Sequence, residues 1–158
     1  MSSYLNFYIV PKKSKKKYHF DEETKTEKEE VIEISKGEPV LLMSFSRADE
    51  VYQAFNDTLN PPYFYKGNEF SELTYDDVRR VVREFEDSVK STENRLKVTY
   101  KMMKESGYNE ELFEEIMSFE NYLSEQKETL SELKSISNLV YNITEGYTDI
   151  EKILINVG

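Results

Sequence analysis

The sequence predicts an α+β fold: a small antiparallel sheet of about four strands, with one short helix, carrying a long antiparallel two-helix hairpin. The hairpin is predicted because residues 74–106 lack Gly and Pro, and because apolar residues recur there and over 109–144 at alternating spacings of four and three. The sheet is predicted because several segments outside this region alternate in polarity, as half-buried strands do.

Four segments are predicted to be strands. Residues 4–10 alternate clearly, and a last strand over residues 152–157 would return the chain to the sheet. Residues 31–35 also alternate, and we expect them to pair with residues 39–46 around the turn at Gly37. Because residues 39–46 are apolar on both faces, they are predicted to be the central and most buried strand.

The helices have sequence signals at their ends. Ser46 and Thr74 stand at capping positions before apolar stripes, which predicts a short helix after the first and a long helix after the second. Gly107 is predicted to end the first long helix, and residues 109–144 form the next one. A connection this short places the two helices side by side and antiparallel. The hairpin would be about 50 Å long.

These elements are predicted to form a single domain over residues 1–158. Residues 1–73 and 147–158 would form an α/β head, and residues 74–146 would form the helical hairpin. Both ends of the hairpin would then be anchored in the same head.

The composition argues against enzyme chemistry. The chain contains no cysteine, and its five glycines form no phosphate-binding loop. Its one histidine, His19, lies in a charged segment, so neither long helix can carry the Glu-x-x-His motif of a di-iron bundle. We therefore predict no enzyme activity, no catalytic residue, no cofactor and no resident metal.

The charge and the absence of long apolar runs limit the partners. A net charge of −10 disfavours direct nucleic-acid binding, which depends on neutralising phosphates. No apolar run approaches the roughly 20 residues of a membrane helix, and the N-terminal residues do not resemble a signal peptide. We expect a cytoplasmic protein without membrane contact. Its richness in Lys, Glu, Asn, Ile and Tyr is typical of a low-GC bacterium or its phage.

Two segments of the predicted head could contact a ligand or partner. Residues 11–30 form either a mobile loop or, as we favour, a protruding hairpin with a frayed tip. A group of lysines in this segment could hold a small phosphorylated ligand or pair with acidic neighbours: Lys12, Lys13, Lys15, Lys16 and Lys17. An aromatic loop after the short helix could be a binding platform or a lid over the core: Tyr63, Phe64 and Tyr65.

The apolar residues that recur at spacings of four and three form a stripe along each long helix, which we call its seam. Side chains next to the two seams predict self-association. They widen the apolar stripes beyond the seams themselves: Val81, Tyr100, Met102, Tyr122, Ile136, Leu139 and Ile143. The simplest result would be a twofold homodimer through this wide side of the hairpin.

The function predicted from these features is non-enzymatic: binding a protein partner or assembling with copies of itself through the hairpin. Two alternatives stay open. The first is a small-molecule or nucleotide binder that uses the lysines and the aromatic loop, and the second is an acidic mimic of nucleic acid. Residues 109–144 carry two Lys and eight Glu, so the second long helix presents an acidic outer face.

Overall fold

A computed structural model describes residues 3–33, 36–59 and 69–158. It confirms the α+β class, with a four-stranded antiparallel sheet, a short helix and two long helices packed as a hairpin. In chain order the elements are β1 (Tyr4–Pro11), β2 (Ser14–Asp21), β3 (Thr26–Glu33), β4 (Val40–Ser46), α1 (Glu50–Leu59), β5 (Ser71–Glu72), α2 (Tyr75–Ser106), α3 (Glu110–Thr144) and β6 (Ile150–Val157).

The four-stranded sheet has the order β4-β1-β6-β5, with every neighbouring pair antiparallel. The central pair joins the beginning of the chain to its end, because Leu5 lies opposite Val157 and Phe7 lies opposite Ile155. The predicted first and last strands are therefore neighbours. Their pairing places the segment that follows the hairpin beside the start of the chain.

Two predictions about the strands are wrong. β4 is an edge strand that pairs only with β1 in the described chain, and Leu41 is 54% exposed. For the described part of residues 31–35, which ends at Glu33, the predicted pairing with residues 39–46 is not found, because β3 pairs with β2 instead. A polarity pattern identifies which side chains share a face of the sheet, but it does not identify the neighbouring strand. Here the basic strand β2 pairs with the acidic strand β3, so that opposite charges lie across from each other.

The core lies between one face of the sheet and the helices. Phe7 of β1 packs edge-to-face against Phe55 of α1, with ring centroids 5.3 Å apart. The same buried cluster includes Val78 and Val81 of α2 and Leu133 of α3. The base of the hairpin and the head therefore share this core.

Each helix starts at a side-chain cap. Asp49 accepts a hydrogen bond from the Val51 backbone N–H at 2.9 Å, so Asp49 caps α1 and the predicted cap, Ser46, is instead the last residue of β4. Thr74 caps α2 as predicted. Asn109 caps α3 by accepting from two backbone N–H groups.

The two long helices begin and end within one residue of the predicted bounds, and cross-helix pairs line one side of the hairpin. These pairs recur every seven residues on each helix, which is the repeat of packed helices. They are Glu86–Lys134 at 3.7 Å, Glu93–Lys127 at 3.8 Å, and the hydrogen bond that Tyr100 donates to Glu120. We call this side the ladder side. The bond to the Glu120 carboxylate raises the pKa of Tyr100.

Gln126 is a polar residue buried in the seam, and its exposed fraction is 1%. Its Nε2 donates to Ser88 Oγ at 3.1 Å, whereas its Oε1 has no partner among the described residues. A buried unpaired acceptor costs about 1–3 kcal/mol. We therefore expect Gln126→Leu to raise the free energy of unfolding by about 1 kcal/mol in urea denaturation.

A matched substitution separates this effect from a general gain in apolar content. Glu128→Leu changes an exposed residue of the same helix and should alter the free energy of unfolding by less than about 0.5 kcal/mol. A loss of stability in Gln126→Leu would mean that the Gln126 side chain is fully satisfied in the folded protein.

Candidate functional site

Strands β2 and β3 form a separate two-stranded sheet, which we call the ribbon (residues 14–33). The charged segment is thus a hairpin, as favoured from the sequence. Its tip is not frayed, because pairing continues to Asp21 and Thr26 beside the turn. Both strands are exposed along almost their whole length.

The lysines of the predicted ligand site have local acidic partners. Lys16 lies 3.1 Å from Glu29, and the bond between them raises the pKa of Lys16. Lys15 lies 3.7 Å from Asp149. The ribbon also holds a second cross-strand pair, in which a hydrogen bond from Lys28 lowers the pKa of Asp21.

The structure does not gather the five lysines into a cluster. Lys12 and Lys13 line a cavity of about 650 Å³ at the base of the ribbon. Lys15 and Lys17 lie on one face of β2, and Lys16 lies on the other, because side chains alternate along a strand. Residues 12–33 carry seven Lys and seven Asp or Glu, so this region has no net charge.

The aromatic loop with Tyr63, Phe64 and Tyr65 lies outside the described residues. Nearby, Phe70 packs edge-to-face on Tyr8, with ring centroids 5.0 Å apart, on the face of the sheet away from the core. The middle of that face is polar, since Asn6 Nδ2 donates to Asn156 and Ser44 Oγ donates to Asn6 Oδ1.

The predicted self-association surface is divided by the structure. Three of its residues are buried in the chain's own core and cannot meet a second copy without unfolding: Val81, Ile136 and Ile143. Leu139 packs partly buried against the same core, and Tyr100 lies on the ladder side. The additional apolar residues at the base of the hairpin therefore pack against the head. Met102 and Tyr122 remain exposed, at 50% and 47%.

Opposite the ladder side, one face of the hairpin is covered only near the head. Helix α1 lies across this face: Thr58 Oγ1 donates to Glu84 of α2 at 2.7 Å, and Thr129 Oγ1 of α3 donates to Glu50 at 3.0 Å. From Glu84 the same face of α2 continues along the hairpin at spacings of four and three, through Ser88, Ser91, Arg95, Val98 and Met102.

Beyond α1 this face opens into a cavity of about 710 Å³ between α2 and α3. We call it the distal groove, and its main lining residues are Ser91, Arg95, Val98, Met102, Glu115 and Phe119. Val98 is 58% exposed although it is apolar. Met102 is among the residues predicted from the sequence to lie on a binding surface, whereas Val98 is not, although its spacing of four residues from Met102 places it on the same face.

The two helices that line the distal groove differ in charge. Residues 90–106 of α2 carry five Lys or Arg and two Glu, whereas residues 109–126 carry six Glu and neither Lys nor Arg. The charged side chains that line the groove itself are balanced: Asp87, Lys90 and Arg95 of α2 and Glu115 of α3. Such a surface can bind a segment of another chain.

Acidic residues also line a smaller hollow of about 250 Å³ between α1 and α3, with Glu50, Glu125 and Glu128 among them. Within the described ranges, no three His, Asp or Glu side chains are placed to hold a metal ion. None of the described helices combines the length and the apolar character that crossing a membrane requires.

Comparison with known proteins identified no relative of this chain. No protein-family model matches the chain, and no curated protein or solved structure matches it significantly.

Proposed function

We propose that this chain is a non-enzymatic binding protein that docks a partner protein in the distal groove of its helical hairpin. The proposal rests on one observation. The face of the hairpin on which α1 packs near the head continues beyond α1, where it opens into the distal groove. In the distal groove Val98 and Met102 stay about half exposed. Clustered exposed apolar side chains with a polar rim are typical of protein interaction sites.

The size of the surface supports a docking role. The accessible surface is 10778 Å², compared with about 8300 Å² for a compact monomer of this mass. Both the ribbon and the part of the hairpin beyond the core contribute to this surface, since no residue between Phe85 and Leu133 belongs to the buried cluster. A helical extension that does not serve the core is available for a partner.

The two alternative functions have less support. A phosphate ligand would compete with Glu29 and Asp149 for lysines that are divided between two faces of the ribbon. A nucleic-acid mimic would need a continuous acidic surface, but the basic residues of α2 over residues 90–106 interrupt it.

Affinity capture with two matched double variants tests the proposal. Val98→Gln/Met102→Gln alters the distal groove, and Phe113→Gln/Met117→Gln alters an exposed apolar pair with the same i, i+4 spacing outside the groove. Glutamine is a good helix former, so both variants should stay folded by circular dichroism. The wild type and the control variant should retain the same protein from extracts of the source cells, and the groove variant should lose it.

Quantitative mass spectrometry of the captured proteins decides the outcome. A protein whose recovery falls at least tenfold only with the groove variant supports docking in the distal groove. Equal recovery with both variants, or no protein above a blank support, would contradict it.

A further inference from the structure

We infer that the cavity of about 650 Å³ at the base of the ribbon binds a small organic phosphate, with the phosphate group on its lysines and the apolar part against the sheet. We call this cavity the basal pocket. The site is separate from the distal groove, and its key lysines are not the ion-paired lysines of the ribbon. The inference follows from a β-bulge, the charge of the pocket and the close packing at Gly37.

The basal pocket lies where the pairing of β1 with β6 becomes irregular. Val10 lies opposite Lys152, but the next residue, Pro11, lies opposite Ile150, so Glu151 is an extra residue of β6. A bulge of this kind bends a strand and redirects its side chains, and bulges are common beside functional sites. Here it lies among the residues that line the pocket.

The charged side chains of the basal pocket are mainly basic. Among the described residues they are Lys12, Lys13 and Lys152, with Glu151 as the only carboxylate. Three positive charges and one negative charge leave a local charge of +2, although the whole chain has a net charge of −10. Ammonium groups that line one cavity repel each other, and a bound anion replaces this repulsion with attraction.

Two of these lysines have no acidic partner. Within the described ranges, no ion pair involves Lys13 or Lys152, whereas Lys15 on the ribbon pairs with Asp149. The residues outside those ranges contain neither Asp nor Glu. An anion in the basal pocket therefore does not have to displace a carboxylate from Lys13 or Lys152, as it would at Lys15.

Close packing at Gly37 positions the side chain of Lys13. A Cβ added at residue 37 would lie 2.8 Å from both Cγ and Cε of Lys13, so a larger residue would displace this side chain. The alkyl chain of Lys13 thus lies against the backbone of Gly37, which has φ 73°. Because the side chain is already held, less conformational freedom is lost when its ammonium group binds an anion.

The remaining lining and the size of the pocket define the class of ligand. A phosphomonoester carries close to two negative charges at neutral pH, which match the local charge better than a single carboxylate does. The volume of about 650 Å³ is typical of sites for small organic molecules and far exceeds that of a phosphate ion. Val10, Pro39 and Leu154 provide apolar contacts for the rest of the ligand.

Titration of the full chain with phenyl phosphate, followed by ¹H–¹⁵N NMR, tests the inference. Inorganic phosphate lacks the ring, and benzoate keeps the ring but carries one negative charge, so these two anions are the matched controls. The backbone amide signals of residues 12–14, 37 and 151–154 should shift with phenyl phosphate. Its Kd should be at least about tenfold below that of benzoate and also below that of inorganic phosphate.

Two double variants with the same change in charge locate the site. Lys13→Gln/Lys152→Gln removes two ammonium groups from the pocket, and Lys17→Gln/Lys97→Gln removes two from exposed positions outside it. Because two charge-assisted hydrogen bonds are lost, the pocket variant should raise the Kd for phenyl phosphate at least about tenfold. The control variant should change it by less than about twofold. Spectra without ligand show whether each variant keeps the wild-type fold.

Four results would overturn the inference. They are no saturable binding of phenyl phosphate at about 10 mM, equal binding of benzoate, equal loss of binding in the two variants, and signal shifts confined to residues away from the pocket. Equal binding of inorganic phosphate would overturn the role of the apolar lining. None of these measurements involves Val98 or Met102, so their outcome is independent of docking in the distal groove.

Discussion

Replacement of Phe55 by alanine is expected to lower the free energy of unfolding by about 3–5 kcal/mol. The ring is fully buried, and it packs against Phe7 in the cluster that joins β1, α1 and the hairpin base. Domains of this size are stable by only about 5–15 kcal/mol, so the variant should be close to unfolding at physiological temperature. Urea denaturation followed by circular dichroism measures the change.

Phe113→Ala is the matched control for this prediction. Phe113 lies on α3 outside the core and is 44% exposed, so its loss should change the free energy of unfolding by less than about 0.5 kcal/mol. Similar losses in the two variants would contradict the position of the core. Because the head and the hairpin base share that core, Phe55→Ala should also destabilise both in the same transition.

Replacement of Gly107 by alanine is expected to cost about 1–3 kcal/mol. Its backbone angles, φ 81° and ψ −177°, lie in a region that only glycine occupies readily. Space is not the limit, since an added Cβ would meet no atom within 4 Å. The cost therefore comes from the backbone at the point where the chain reverses between α2 and α3.

Tyr108→Ala controls for the general effect of changing this turn. Tyr108 is 75% exposed, and its removal should leave the melting temperature nearly unchanged. A Gly107→Ala protein with the wild-type melting temperature would show that the turn tolerates an L-residue and does not have these backbone angles.

The helical hairpin could be predicted from the sequence because local signals agree along its whole length. The two seams, the caps and the break at Gly107 all lie within the segment they describe. The strands were located for the same reason, but their partners were not. The pairing of β4 with β1 depends on where the chain returns after the ribbon, and the apolar pattern of β4 carries no information about that.

The candidate site could be predicted only in part. Val81, Ile136 and Met102 are all apolar residues beside the seams, yet the first two are buried and the third is half exposed. The difference is the position of α1 and the sheet, which cover the hairpin base and end before Val98. Whether a distant segment covers an apolar residue depends on the tertiary structure. The sequence therefore indicated that both helices carry more apolar residues than their contact with each other needs, but not which of these residues stay exposed.

Photo-crosslinking from single positions tests most directly whether the distal groove is the docking surface. A benzophenone amino acid replaces Val98 in one variant and Met117, an exposed apolar residue of α3 outside the groove, in the other. Both proteins are irradiated in extracts of the source cells, and adducts are identified by mass spectrometry. The account predicts an adduct between position 98 and one partner protein, with none from position 117. Equal adducts from both positions, or none from position 98, would contradict it.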